Sequence, residues 1–174
     1  GKVVYEKPLL KSNFVYLPGE IKLGKGFMRN NELVNGPFDF SKKNRVSLPA
    51  LHNMLRAVIF PNSVPEHQRF NLKPSDYRFL HKYMSIHPSE SSSPQYDPAT
   101  FHDAYSKFIL YDAEKKSMDE GVRIFNKIGS AYGFLTDIAY VVDHRNNIEF
   151  MISATIHSNS DGIYNDDNYD YATV

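Results

Sequence analysis

The chain has 174 residues, with 20 basic side chains balancing 20 acidic ones and no cysteine. A single domain of this length buries about 70% of the surface its unfolded chain exposes, so a sizeable core is attainable. The even charge gives no electrostatic grip on nucleic acid or an anionic membrane, and the missing thiols exclude a disulfide scaffold, a cysteine nucleophile and a cysteine-bound zinc site.

No apolar run reaches the roughly 20 residues that span a bilayer, and the opening "GKVVYEKPLL" lacks the apolar segment of a signal peptide. Residues 1–45 are loop-rich. Two short apolar pieces, Val3-Val4-Tyr5 and Phe14-Val15-Tyr16-Leu17, precede a stretch in which Pro18, Gly19, Gly24, Gly26, Gly36 and Pro37 break every period, which predicts a long ordered loop. Residues 46–113 are helical in texture. "SLPALHNMLRAVIF" sets Leu48, Leu51, Met54, Leu55, Val58 and Ile59 on one face, with Ser47 as N-cap and Pro61 as the stop, predicting a helix over 47–60. Tyr77, Leu80 and Met84 repeat the spacing over 74–86, with Pro74 in the first turn. After the Ser/Pro-rich connection "HPSESSSPQYDP", Asp97 as cap and the spacing Phe101, Ala104, Tyr105, Phe108, Ile109 predict a third helix over 98–112.

From 114 to 174 the period changes. "GVRIFNKIG", "GFLTDIAYVVD" and "NIEFMISATIHS" are rich in β-branched and aromatic residues and are separated by the turn formers "GSAYG" and "DHRNN". They predict three consecutive antiparallel strands. The tail "NSDGIYNDDNYDYATV" returns to turn chemistry. Helices before an antiparallel meander make an α+β arrangement within a single domain spanning 1–174.

Lys127-Ile128-Gly129, on a predicted strand that turns tightly into "GFLTDIAYVVD", resembles the third sequence element, Lys-Thr/Ser-Gly, of the class A β-lactamase and penicillin-binding protein superfamily. The order of helices, motif strand, hairpin and long following strand is similar to the second half of that transpeptidase-like fold. The segment "NKIGSAYGFLTDIAYVVD" through "NIEFMISATIHSNSDGIYNDD" looks like a group of secreted bacterial serine hydrolases within it. The resemblance implies that Lys127 and Gly129 occupy catalytic third-motif positions, with Ile128 and Ser130 against the substrate. The strand would hold the ammonium beside the nucleophile, where it favours negative charge, and the glycine would let substrate approach the strand edge. It also implies hydrolysis of an amide or ester through an acyl-enzyme, a periplasmic or secreted location, and no cofactor.

The departures from the family pattern matter equally. No serine is followed three residues later by lysine, and no Ser-x-Asn or Tyr-x-Asn element occurs. Ile128 replaces the hydroxyl residue of the third motif, removing a donor to a substrate carboxylate. Glu32 falls where a class A enzyme keeps its deacylating glutamate, but position 36 is glycine and Asn35 comes one residue early. The expectation is therefore the C-terminal half of a longer enzyme, inactive alone. The uncovered sheet would invite self-association. The alternative is a non-catalytic extracellular domain that holds a glycan or peptide through the same cleft or the aromatic-rich surface implied by 12 Tyr and 12 Phe.

Each feature also has a plainer reading. Lys127 is also what a solvated strand edge needs to discourage pairing. Ser130 is also a turn opener. Asp137, inside an apolar strand, is either a buried hydrogen-bonded carboxylate or a residue on the outer pleat. The seven histidines, at 52, 67, 81, 87, 102, 144 and 157, show no metal-ligand spacing and are expected at the surface. "HSNSDGIYNDDN" sets Asn159, Asp161 and Gly162 at calcium-loop positions. The aspartate and glutamate that such a loop needs first and twelfth are replaced by His157 and Asn168, so Asp161, Asp166, Asp167 and Asp170 read as turn residues. No metal is expected.

Overall fold

The computed structural model describes residues 21–111 and 117–171; the apolar pieces at 3–5 and 14–17 lie outside them. The fold is α+β. Helix α1 (Leu48–Ile59) begins as expected, with the Ser47 hydroxyl accepting the Ala50 N–H at 3.3 Å, and closes with the Phe60 N–H donating to the Arg56 carbonyl before Pro61. Helix α2 (Pro74–Ser85) starts on its proline, and the Asp76 carboxylate accepts the Lys73 N–H at 2.8 Å. The two helices are tied by His81, whose Nε2 bonds the Val58 carbonyl at 2.9 Å.

The first 25 described residues are not a loop. Strands β1 (Lys22–Leu23) and β4 (Phe38–Asp39) pair, and between them β2 (Gly26–Arg29) and β3 (Glu32–Asn35) form a hairpin. Its turn is Asn30-Asn31, both left-handed at φ 52° and 65°. Asparagine tolerates that conformation, and its twist suits a two-residue hairpin. The tail then adds β8 (Ile163–Tyr164) in parallel beside β2. Gly24 permits this: at φ 75°, a Cβ there would meet the Gly162 carbonyl oxygen at 2.5 Å and the Tyr164 ring at 2.7 Å.

The expected meander is present. Strands β5 (Val122–Ala131), β6 (Phe134–Asp143) and β7 (Ile148–His157) form an antiparallel sheet in the order β5-β6-β7. Helix α2 packs on β5, and α1 on β6 and β7. On this face Phe60 and Phe125 both contact the Tyr140 ring, and the His52 ring reaches Ser153 at 2.8 Å. The opposite face carries the core of Ala104, Tyr111, Ile124, Ala139 and Val141.

The segment expected as a third helix over 98–112 is instead a series of turns up to Tyr111, and residue 112 lies outside the described residues. Asp97 does cap, accepting the Ala99 N–H and the Thr100 hydroxyl at 3.1 Å each, but no helix propagates. The buried residues are Ala104, Lys107 and Tyr111, while Tyr105 and Phe108, expected inward, are 47% and 37% exposed. Bonds to the sheet hold this backbone: Ile109 N–H donates to Asp137 and Lys107 reaches the Ile124 carbonyl. The first contact satisfies a backbone N–H that a helix would otherwise pair within itself, and the second anchors the segment by its side chain.

Candidate functional site

Lys127, Ile128, Gly129 and Ser130 lie on β5, which among the described residues pairs only with β6. The two-residue turn Tyr132-Gly133 sets the hydrogen-bond phase. Ala131 and Phe134 close the hairpin as a bonded pair, and alternation makes Gly129–Thr136 and Lys127–Ile138 bonded pairs as well. The N–H and C=O groups of Ile128 and Ser130 therefore face outward along the free edge. Lys127 agrees with this phase, because its ammonium donates to the Ile128 carbonyl. Lys127, Gly129 and Ser130 are exposed and Ile128 is half-buried. A Cβ at Gly129 would meet nothing among the described residues within 4 Å, so they leave the strand open to approach there.

Behind this strand lies a polar network that the sequence reading missed. Lys107, 3% exposed, donates from Nζ to Asn126 Oδ1 at 2.6 Å, to the Ile124 carbonyl at 2.9 Å and to the Met84 carbonyl at 3.1 Å. Asn126 in turn donates to the Ser106 carbonyl at 2.7 Å and to Asp137 Oδ1 at 2.9 Å. Asp137, also 3% exposed, is thus the buried, hydrogen-bonded carboxylate of its two possible readings. Burial lowers the Lys107 pKa to about 8, against the pull of Asp137, and burial raises that of Asp137. The network joins α2, the 101–111 segment and the two strands next to Lys127. The available signal was a polar residue amid apolar ones, Lys107 in "AYSKFILY" and Asn126 in "RIFNKIG".

Nearer the start of β5, Arg123 grips Glu90 with two bonds of 2.7 and 2.9 Å and also donates to the Ser85 carbonyl at 3.1 Å. The guanidinium holds the Glu90 carboxyl down at about 2. Arg123 also lines a cleft of about 460 Å3, together with His87, Asp103, Met118, Asp119 and His144, among others. Burial lowers the pKa of His87, whose Nε2 has no hydrogen-bond partner among the described residues. A second cleft, of about 450 Å3, has Ser130 on its wall together with Tyr132, Asn165, Asp167, Tyr169 and Tyr171.

Of the predicted site residues, Ser130 alone lines one of these clefts, and Lys127, Ile128 and Gly129 run along the edge leading to it. Glu32 is not in a loop before the first helix. It opens β3, exposed, opposite Arg29 across the Asn30-Asn31 turn, and lines neither cleft. The histidines are less superficial than expected, with 52, 81, 87 and 102 half-buried. Among the described residues no group of three or more His, Asp or Glu side chains is placed to hold a metal ion. Asp161 and Asp170 instead accept backbone N–H groups, from Ile163 and Ser160, at 2.8 Å each. No described helix is long and apolar enough to cross a membrane. No family model, no curated protein and no solved structure matches this chain.

Proposed function

We propose that this chain is the C-terminal part of a serine hydrolase of the class A β-lactamase and penicillin-binding protein superfamily. In this reading it supplies the Lys127-Ile128-Gly129 wall of an acyl-transfer site whose serine lies on an upstream segment of a longer polypeptide. The observation that carries the reading is the position of the tripeptide. It sits on the free edge of the first strand of an antiparallel meander, with an open glycine and outward-facing backbone groups at Ile128 and Ser130.

The chemistry follows from that edge. The serine hydroxyl, its proton taken by a neighbouring base, attacks the amide or ester carbonyl, the leaving group departs protonated, and water then releases the acyl group and restores the serine. Lys127 favours the negative charge that develops on the carbonyl oxygen and the charge of a substrate carboxylate. Ile128 offers its backbone and no hydroxyl. That substitution favours a second reading, a non-catalytic domain that binds a peptide or glycan along the same edge. Both readings place the protein in the periplasm or outside the cell.

The two separate on covalent labelling. The longer polypeptide, with a Ser-x-x-Lys element upstream, takes up a fluorescent penicillin or turns over a nitrophenyl ester, whereas these 174 residues alone do neither above background. A longer polypeptide without such a serine leaves only the binding reading.

A further inference from the structure

The tip of the β5–β6 hairpin carries an aromatic residue where turn chemistry favours asparagine. Tyr132 and Gly133 are both left-handed, at φ 55° and 79°. A bulky side chain in that conformation costs of order 1 kcal/mol, and such outliers gather at ligand sites. The Tyr132 ring packs against Phe38, stacked at 5.8 Å, and Phe40, edge-on at 5.2 Å. It lines the cleft of about 450 Å3 together with Tyr169 and Tyr171.

Those two rings are also fixed before any ligand arrives. The Tyr171 hydroxyl accepts the Gly133 N–H at 3.0 Å and the Tyr169 hydroxyl accepts the Asn165 N–H at 3.0 Å, while the rings contact each other at 5.6 Å. A site that is rigid when empty spends little binding energy on ordering. The remaining described lining is Ser130, Ala131, Asn165 and Asp167. It holds no cation itself; the Lys43 ammonium, 5.5 Å from the Tyr132 ring centroid, can bond a sugar hydroxyl at the rim. Aromatic faces beside an amide, a carboxylate and a hydroxyl match a pyranose: its C–H face packs on the ring and its hydroxyls bond the rim.

We infer that this cleft is a binding subsite for a short neutral oligosaccharide seated on Tyr132, Tyr169 and Tyr171. The inference requires neither a serine nucleophile nor Lys127, so it stands apart from the acyl-transfer reading; it deepens the binding reading by naming the ligand class and the cleft beside Ser130.

The test is an amide-resolved NMR titration of the 174-residue chain with cellotriose and, separately, triacetylchitotriose, each to about 20 mM, with trialanine as comparator. At least one trisaccharide is expected to shift amides of 130–133 and 165–171, and trialanine is not. Tyr132→Asn keeps a residue suited to the left-handed tip but removes the ring, and should weaken binding about tenfold or more; Tyr132→Phe should bind within about threefold of the parent. Failure of both sugars to shift these amides, a stronger response to trialanine, or undiminished binding by Tyr132→Asn overturns the assignment.

Discussion

Lys107 donates its ammonium to Asn126 Oδ1 at 2.6 Å, one residue before the lysine that the functional reading depends on. Lys107 comes from a turn segment and Asn126 from β5, so this contact fixes the motif strand from the face opposite Lys127. Asp137 lies across the ladder from Ile128 and closes the network.

Replacing Lys107 with methionine leaves Asn126 Oδ1 and two carbonyls short of a donor and the Asp137 carboxylate without its nearby cation. A loss of roughly 2–4 kcal/mol is expected in urea unfolding. Adding Asp137→Asn should recover part of it, with a coupling of at least about 1 kcal/mol in the double-mutant cycle. Additive losses would show that the two side chains do not interact.

The same lysine sets a pH signature. Its pKa of about 8 in the fold compares with an ordinary 10.5, so between those values the unfolded chain binds a proton that the fold has released. Stability contributed by this group therefore rises with pH, by about 2 kcal/mol between pH 8 and 10. Above pH 10 the trend is opposed by Tyr140, which burial and its bond to Glu149 push up to about 12. Denaturant midpoints across pH 7–10 should show the rise, and Lys107→Met should flatten it.

Strands β5–β7 and both helices were legible because each has a clear period and punctuation: Ser47 and Pro61 around α1, or the Tyr132-Gly133 turn between β5 and β6. The hairpin at 26–35 was hidden by its glycines, although Asn30-Asn31 is a turn signal of the same kind. The third helix failed because the spacing of Phe101, Ala104, Tyr105, Phe108 and Ile109 fits a helix, whereas burial follows Ala104, Lys107 and Tyr111. Lys107 is a residue type almost never buried unless paired, and its partners are distant in sequence. Periodicity therefore could not reveal the network. The candidate edge was legible as a motif; its openness depends on strand order, which only the fold supplies.

On β7, Ile148, Phe150 and Ile152 point to one face and are 51%, 39% and 37% exposed. Strand β7 pairs only with β6 among the described residues, so an apolar patch adjoins an open edge. The isolated chain should self-associate, seen as a sedimentation coefficient that rises with concentration. Phe150→Lys with Ile152→Lys should return it to monomer. A monomeric parent at all concentrations would show that this face needs no cover.

Intact-mass analysis of the proposed longer polypeptide after exposure to a penicillin tests the central proposal most directly. An acyl adduct on a serine of an upstream Ser-x-x-Lys element is expected, with its formation slowed by about a hundredfold or more in Lys127→Ala because the stabilising ammonium is gone. An adduct on Ser130 in these 174 residues alone, or a Lys127→Ala variant that acylates at the parent rate, would contradict the assignment of the β5 edge to the active site.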